Sequence, residues 1–283
     1  GSVGDNGGSD LFIGNAGNGQ LTVSDGGRVT NLVGSIAEEA GSVGSVLVTG
    51  SGSWWEMSGG TVVGNEGDGS LLIENGGAVT SVGGSALGFS GGGSGLAEVS
   101  GTGSSWTLGG LMTVGRHGSG NLAVSNGGRI VSAGGSVGRF TGGGEVVITG
   151  VGSAWDNTGP LAVGDFGKGT LAVAAGGALS SADAFIGKEA GAIGTVSIGG
   201  AGSTWTVSPG DDIEIGVSGT GTLSITDGGK VGSGLIGRIA KNAGSAGSVL
   251  VSGAGSQWDM TLIAVGDEGT GTILVENGGK VTS

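Results

Sequence analysis

Short stretches in which every second residue is aliphatic recur along the whole chain and are separated by glycine-rich segments. The residue between each aliphatic pair varies freely, as at Thr22, Leu72 and Glu98. A period of two with one constrained side predicts half-buried β-strands whose aliphatic side chains point into a core. One kind of stretch has its pairs at Leu21 and Val23, Leu71 and Ile73, Leu122 and Val124, Leu171 and Val173, Leu223 and Ile225, and Ile273 and Val275. The other kind has its pairs at Val46 and Val48, Ala97 and Val99, Val146 and Ile148, Val196 and Ile198, and Val249 and Val251.

Two further sequence markers share a period of about 50 residues. The motif Gly-Ser-x-Trp recurs at intervals of 51, 49, 50 and 53 residues, with its indoles at Trp55, Trp106, Trp155, Trp205 and Trp258. A Gly-Gly pair recurs at intervals of 50, 51, 49, 52 and 50 residues, beginning at Gly26, Gly76, Gly127, Gly176, Gly228 and Gly278. Because two independent markers keep one period along the whole chain, the sequence predicts a repeat architecture. Pairs such as Val63-Gly64 and Leu87-Gly88 also recur at about half this interval, so the structural unit is half of the sequence repeat.

Each half-repeat of about 25 residues contains three short apolar pieces between glycine-rich corners. This arrangement predicts one coil of a three-sided parallel β-helix, an all-β solenoid. Since stacked coils lie about 4.8 Å apart, roughly eleven coils would form a rod on the order of 50 Å long. We therefore expect one β-solenoid domain over residues 1–283. A propeller with four-stranded blades is the alternative, which the half-period and the very short strands disfavour.

The composition agrees with a solenoid and excludes several classes of partner and site. The 283 residues include 75 glycines and 2 prolines, whereas an ordinary globular domain has about 7% glycine. Corners between short strands need positive φ and leave no room for a Cβ beside the next coil, which explains most of these glycines. The net charge of −13 would repel a phosphate backbone, so we expect no nucleic-acid partner. The absence of cysteine excludes disulfides and thiolate metal sites.

The pattern Val-x-Gly-x-Gly-Ser-x-Trp, followed by Leu-x-Val-Gly-x-x-Gly-x-Gly-Thr-Leu-x-Val-x-x-Gly-Gly, describes residues 148–177, where Ile148 takes the first position. This combination resembles the type V secretion and PEP-CTERM-associated repeats of bacterial autotransporter passengers, and the resemblance covers essentially the whole chain. It implies a right-handed parallel β-helix that is exported through the periplasm and outer membrane to the bacterial cell surface. The chain contains neither a signal peptide nor the C-terminal barrel that would attach such a passenger to the membrane. We therefore expect an excised fragment of a longer repeat region.

The function predicted from this resemblance is a non-catalytic stalk or adhesin scaffold. Its implied partners are glycans or proteins on host or bacterial surfaces, or other copies of the same chain. Two alternatives remain open at this point: a carbohydrate-active β-helix enzyme, such as a lyase or glycosidase, and a calcium-stabilised repeat module. We expect no catalytic, cofactor-binding or metal-binding residue, and no cofactor.

An enzyme of this kind would need two or three carboxylates on one face. The acidic residues are instead spread along the corners of the whole chain. The segment Ser208–Glu214 departs most from the repeat, and we interpret it as a corner bulge, with an acidic or Ca²⁺ site as the alternative. Oxygen-rich corners at 64–69 and 266–269 offer possible calcium ligands, but the equivalent corners hold Arg116-His117, Asp165-Phe166 or Val217-Ser218, so no regular series of sites is expected. His117, the only histidine, has no partners for a triad or a metal site and is expected at a solvated corner.

One position concentrates basic residues. The residue after the Gly-Gly pair is Arg28, Ala78, Arg129, Ala178, Lys230 or Lys280 in successive repeats. These side chains would lie about 10 Å apart, or a multiple of that distance, on one edge. Such a column could meet an anionic glycan, or it could balance nearby acids such as Asp25.

The tryptophans allow a similar choice. We expect the five motif indoles to be buried structural residues on every second coil, although exposed indoles can stack on sugars. Trp54 precedes Trp55 in an extended segment, so one of the two should be exposed. The predicted surface contacts are therefore Trp54, Arg28, Arg129, Lys230 and Lys280.

Overall fold

The computed structural model describes residues 3–6 and 8–283. In this part of the chain the regular structure consists of β-strands that pair in parallel, each strand with its equivalent in the next coil. The strands build a three-sided parallel β-solenoid of about eleven coils, with about 25 residues in each coil. This confirms the predicted fold class and excludes the propeller alternative.

The strands stack into three faces, which we name the long, tryptophan and short faces. The long face contains Asn18–Val23, Val43–Thr49, Asp68–Glu74, Ser94–Ser100, Ser119–Ser125, Gly143–Thr149, Lys168–Ala174, Ile193–Gly199, Thr220–Thr226, Ala246–Ser252 and Thr270–Glu276. The tryptophan face contains Val3–Asp5, Arg28–Asn31, Trp54–Met57, Ala78–Ser81, Ser105–Leu108, Arg129–Ser132, Ala154–Asn157, Ala178–Ser181, Thr204–Val207 and Lys280–Thr282. The short face contains Leu11–Ile13, Gly34–Ile36, Thr61–Val63, Ser85–Leu87, Leu111–Val114, Gly134–Val137, Leu161–Val163, Ala184–Ile186 and Ile213–Ile215. Two longer strands, Lys230–Ile239 and Gln257–Val265, continue from the tryptophan face into the short face.

The long face carries the aliphatic columns predicted from the alternation. Leu71 pairs in register with Val46 below and Ala97 above, so the two kinds of half-repeat stack on each other in alternation. Both members of each pair are buried in the interior coils. At the last strand, Ile273 and Val275 are partly exposed because no coil covers them on one side. The predicted inward side of the strands is thereby confirmed.

The corner after the long face explains the Gly-Gly pair and the serine of the tryptophan motif. Asp25 and Gly26 both have positive φ, and Gly27 N donates to Ser24 O at 2.8 Å, as in a type I′ turn. In the next coil Ser53 is buried, and its Oγ accepts a hydrogen bond from Gly26 N at 3.1 Å. The same bond joins Ser104 to Gly76, Ser153 to Gly127, Ser203 to Gly176, and Ser256 to Gly228.

The tryptophan face places an indole in every second coil, as predicted. The five motif indoles are at most 1% exposed, and each pairs in register with an aliphatic residue above and below. The complete column is Val29, Trp55, Val79, Trp106, Ile130, Trp155, Leu179, Trp205, Val231, Trp258 and Val281. The indoles are therefore part of the core and unavailable for stacking on a sugar.

A second column on the short face alternates between small and larger residues in step with the indoles. A Cβ on Gly135 would come within 2.9 Å of the Trp155 ring, and one on Gly237 within 2.6 Å of the Trp258 ring. The column reads Leu11, Gly34, Thr61, Ser85, Met112, Gly135, Leu161, Ala184, Ile213, Gly237 and Ile263. Its small members lie in the coils that lack tryptophan, so each large ring enters the space beside a small residue of the neighbouring coil.

Candidate functional site

The predicted basic column lies on one line of the tryptophan face. Arg28 pairs in register with Trp54, which pairs with Ala78, and the ladder continues in the same way to Lys280. Its full order is Arg28, Trp54, Ala78, Ser105, Arg129, Ala154, Ala178, Thr204, Lys230, Gln257 and Lys280. The basic side chains are thus two or four coils apart, which is about 10 or 19 Å. The structure brings Trp54 and Arg28 together and leaves the other three predicted contacts separate.

Trp55 is fully buried and Trp54 points the opposite way, as the alternation predicts, but Trp54 is half-buried rather than exposed. The Arg28 guanidinium lies 4.5 Å from the centre of the Trp54 ring, a cation–π distance. Trp54 Nε1 donates to Thr80 Oγ1 at 3.0 Å, and Arg28 also forms an ion pair with Glu56 at 3.4 Å. One face of the indole is therefore covered by Arg28, and the charge of Arg28 is already paired with Glu56.

Arg129 forms a second ion pair on this line, with Asp156 at 2.8 Å. The partners of Arg28 and Arg129 are thus acids one coil further on, rather than turn residues such as Asp25. Lys230 and Lys280 are exposed and form no ion pair within the part of the chain that the structure describes. The column combines two neutralised arginines with two free lysines and forms no continuous basic surface.

The segment Ser208–Glu214 forms a turn in which Asp211 N donates to Ser208 O at 3.1 Å. Beyond the turn, Arg238 Nη1 lies 2.5 Å from Asp212 Oδ2 and 3.1 Å from Glu214 Oε1. Lys241 Nζ lies 2.7 Å from Glu214 Oε1. Burial lowers the pKa of Arg238, but hydrogen bonds and the charges of Asp212 and Glu214 outweigh burial and raise that pKa above its ordinary value. Asp212 and Glu214 therefore belong to an ion-pair network.

The corners with possible calcium ligands are also occupied by internal contacts. Asn65 Nδ2 donates to Glu38 at 2.9 Å, and Ser90 donates to Asn65 Oδ1 at 2.9 Å. Asp267 lies 4.0 Å from Arg238. Among the described residues, no group of three or more His, Cys, Asp or Glu side chains is placed to hold a metal ion. His117 is exposed at its corner, where its ring stacks on Phe140 at 4.8 Å between centroids.

A different surface, which the sequence did not indicate, forms an open groove. It lies on the outer side of the short face and has a volume of about 430 Å³. Its floor is made by Val62, Ala86 and Thr113, which are in register on three successive strands and point outward. Elsewhere in the same outward column stand larger residues such as Phe12 and Phe185. The groove exists because the side chains in the middle of this column are small.

One wall of the groove is formed by Phe89, Arg116 and Arg139, which occupy equivalent corner positions in three successive coils. The Arg116 guanidinium lies 4.1 Å from the centre of the Phe89 ring and 5.5 Å from that of Phe140. Arg139 lies 5.2 Å from the Phe140 ring. The opposite wall comprises Val33, Gly60, Gly84 and Leu111. We call this surface the arginine groove.

Sequence reasoning passed over this groove because its residues are far apart in the chain and carry no motif. The available signal was the residue that follows each Val-Gly or Leu-Gly pair. In three consecutive coils this residue is Phe89, Arg116 and Arg139. Recognising that signal requires the register between coils, since the coils differ in length by a few residues. Among the basic residues, only the column from Arg28 to Lys280 keeps the 50-residue period that reveals it in the sequence.

The comparisons with known proteins add little to this description. No protein-family model matches the chain, and no curated protein matches it. Among solved structures it is similar to a fragment of TibA, crystallised in a hyper-glycosylated form produced by TibC. The two are 17% identical, the match covers 100% of both chains, and the TM-score is 0.41. No helix of the described residues is long and apolar enough to cross a membrane. The geometry itself defines the class, a parallel β-solenoid.

Proposed function

We propose that this chain is a non-catalytic passenger segment of an autotransporter, displayed on the bacterial surface as a stalk or adhesin scaffold. The observation that carries the proposal is the continuity of the solenoid. Each strand of the long face, from Asn18–Val23 to Thr270–Glu276, pairs with its neighbours in unbroken register. Such a stack holds its two ends about 50 Å apart without a hinge, which is what a spacer requires.

The distribution of charge also supports a scaffold. A glycosidase or lyase needs carboxylates that converge on a bound sugar. Here the two neighbouring acids of the longest corner, Asp212 and Glu214, are neutralised by Arg238 and Lys241. The remaining acidic residues are spread along the whole solenoid, at corners and on the outer sides of strands such as Trp54–Met57 and Ser94–Ser100. The proposed role therefore depends on shape and surface, with no acid–base chemistry.

Surface display can be tested by introducing single cysteines, because the 283 residues contain none. Val151 is 86% exposed at a corner, whereas Val146 is fully buried on the long face. In bacteria producing the protein, Val151→Cys should react with a membrane-impermeant maleimide on intact cells. The matched control, Val146→Cys, should react only after denaturation. Labelling of Val151→Cys only after lysis would contradict surface display.

Removing residues 103–151 tests whether the chain acts as a spacer or as a contact surface. This deletion joins two equivalent corners, removes two coils and keeps the alternation of tryptophan and aliphatic coils. The stack should shorten by about 10 Å and remain folded. Unchanged cell adhesion would assign a spacer role, and lost adhesion despite normal display would assign a contact role. Release of new reducing ends or unsaturated products from polysaccharides by the purified chain would refute the non-catalytic assignment.

A further inference from the structure

We infer that the arginine groove binds an acidic polysaccharide, a sugar chain bearing carboxylate or sulfate groups. The inference goes beyond the proposed function and depends only on the groove, so it can be tested on the purified chain. It starts from an imbalance of charge. The chain has 10 basic and 23 acidic residues, yet the residues lining the groove include two arginines and no acid.

The two arginines have no acidic partner. Within the described part of the chain, Arg28, Arg129, Lys188, Arg238 and Lys241 form ion pairs, whereas Arg116 and Arg139 form none. Asp165, the acid one coil beyond Arg139, is engaged by Lys188 at 3.0 Å and by Ser136 at 3.2 Å. In a protein with a large negative charge, two neighbouring guanidinium groups without carboxylates leave a local site for an external anion.

The arginines are also held in place before any ligand binds. Arg116 lies between the rings of Phe89 and Phe140, at 4.1 and 5.5 Å, and Arg139 contacts Phe140 at 5.2 Å. Within the described part of the chain neither guanidinium donates a side-chain hydrogen bond or forms an ion pair, so the N–H groups of both arginines are available to an anion. A guanidinium edge matches two oxygens of a carboxylate or sulfate. Because the side chains are already ordered, binding costs less conformational entropy than it would with mobile lysines.

The shape of the groove favours an extended polymer. Its lining residues, from Val33 to Arg139, belong to five successive coils, so the groove runs along the solenoid axis. Arg116 and Arg139 follow each other by one coil, as shown by the bond from Arg139 N to Gly115 O. Successive charges along one wall suit a ligand with repeated charges. The floor of Val62, Ala86 and Thr113 is uncharged and its side chains are small, so a sugar ring can approach it closely.

Two other linear polyanions fit less well. An acidic peptide would add to the sheet through its backbone, but the backbone groups of this face already pair with the coils above and below. Single-stranded nucleic acid binds through bases stacked on free aromatic rings, whereas the Phe89 ring is covered by Arg116. An acidic sugar chain needs neither of these features. It uses only the guanidinium N–H groups and the uncharged floor.

The test is the affinity of the purified chain for oligogalacturonate and for a heparin oligosaccharide, measured by isothermal titration calorimetry. These probes carry carboxylates and sulfates respectively, so they distinguish the two sources of charge. Neutral dextran and polyglutamate serve as the comparison ligands. At least one acidic sugar should bind, dextran should not, and polyglutamate should bind more weakly. Absence of binding to both acidic sugars, or equal binding of polyglutamate, would overturn the inference.

Two pairs of variants locate the site. Arg116→Gln with Arg139→Gln should lower the affinity by about tenfold to a hundredfold, because charge-assisted hydrogen bonds are lost. Lys230→Gln with Lys280→Gln removes the same charge from another face and should change the affinity by less than about twofold. An equal loss in both double variants would mean binding to the overall charge and would overturn the proposed site.

The second pair tests the floor without changing the charge. Ala86 and Ala162 lie in the same outward column and are both 7% exposed, but only Ala86 lines the groove. Ala86→Leu should fill the groove and weaken binding as strongly as loss of the arginines, whereas Ala162→Leu should not. Circular dichroism melting curves check that each variant is folded. Full affinity in a folded Ala86→Leu variant would exclude the groove as the site.

Discussion

Gly135 lies one coil below Trp155 and packs against its ring, so closely that a Cβ on Gly135 would come within 2.9 Å of the indole. The same relationship joins Gly237 to Trp258. One coil must therefore be small where its neighbour is large, and two coils together make one packing unit. This is the physical reason why the sequence repeats every 50 residues although the structure repeats every 25.

Adding a side chain beneath the indole should therefore destabilise the solenoid. We expect Gly135→Val to lower the free energy of unfolding by about 1–3 kcal/mol, the usual cost of overpacking a close-packed core. Trp155→Val should cost about 3 kcal/mol or more, because it leaves a cavity. The measurement is urea-induced unfolding followed by circular dichroism.

The double variant distinguishes a direct contact from two independent defects. With the ring removed, the Leu161 side chain, whose Cδ1 would lie 2.6 Å from the new Cβ, can turn into the vacated space, so the combined loss should be clearly smaller than the sum of the single losses. Strict additivity would show that Gly135 and Trp155 do not share one space. The pair Ala184 and Trp205 offers a control, since Ala184→Gly should be tolerated far better than Gly135→Val.

The serine of the tryptophan motif should contribute through one hydrogen bond between coils. Ser53 is buried and accepts from Gly26 N at 3.1 Å, so Ser53→Ala leaves that N–H without its partner. We expect a loss of about 1 kcal/mol, since the bond is only partly shielded from water. Ser51 lies two residues earlier in the same corner and is exposed. Ser51→Ala should change the unfolding midpoint very little, and equal effects of the two variants would contradict the assigned role.

Sequence reasoning predicted the fold because the residues that fix it repeat. The alternation at Leu71 and Ile73, the Gly-Gly pair at Gly76 and the indole at Trp106 each recur often enough to reveal the coil. The same reasoning placed Trp55 inside, whereas Trp54 is half-buried instead of exposed because Arg28 and Thr80 contact its ring. Local pattern suffices here because each coil contacts mainly its two neighbours.

The arginine groove could not be predicted in this way, because it arises where the repeat is interrupted. Its floor needs Ala86 and Thr113 to be small in adjacent coils, and its wall needs Phe89, Arg116 and Arg139 to stack. None of these residues follows the 50-residue period. A method that searches for regularity therefore finds the scaffold and passes over a site built from its exceptions.

Two corners contain a strained residue that the repeat would not require. Ala37 and Ala240 have φ of 60° and 58° at the position where the other coils have glycine. A left-handed conformation costs alanine about 1–2 kcal/mol. Glycine avoids this steric cost, but it loses more conformational entropy on folding, which offsets part of the difference. Relief of this strain is opposed by loss of the fully buried Ala37 methyl group, so Ala37→Gly should change the free energy of unfolding by less than about 1 kcal/mol. The reverse change, Gly138→Ala, should destabilise it by more, because the new Cβ would overlap the carbonyl oxygen of Lys168. Thermal melting of both variants measures the difference, and a loss for Ala37→Gly as large as that for Gly138→Ala would contradict the strain argument.

The ion-pair network around Glu214 should matter more for stability than an exposed pair does. The Glu214 side chain is 5% exposed and contacts Arg238 and Lys241, whereas Glu56 and Arg28 are each nearly half exposed. Glu214→Gln leaves two cations without their shared partner and should cost about 1–2 kcal/mol, less than for a fully buried pair because both cations are partly exposed. Glu56→Gln should cost no more than about 0.5 kcal/mol.

The pH dependence of this difference follows from the raised pKa of Arg238. A cation whose pKa is higher in the folded state contributes stability that is complete below its unfolded pKa. That contribution is lost only as the pH rises through the folded value, which for this arginine lies far above neutrality. The gap between the Glu214→Gln and Glu56→Gln variants should therefore be the same in urea unfolding at pH 6 and at pH 9. A gap that closes between these values would show that another titrating group controls the network, and equal losses in the two variants at either pH would remove the network's role in stability.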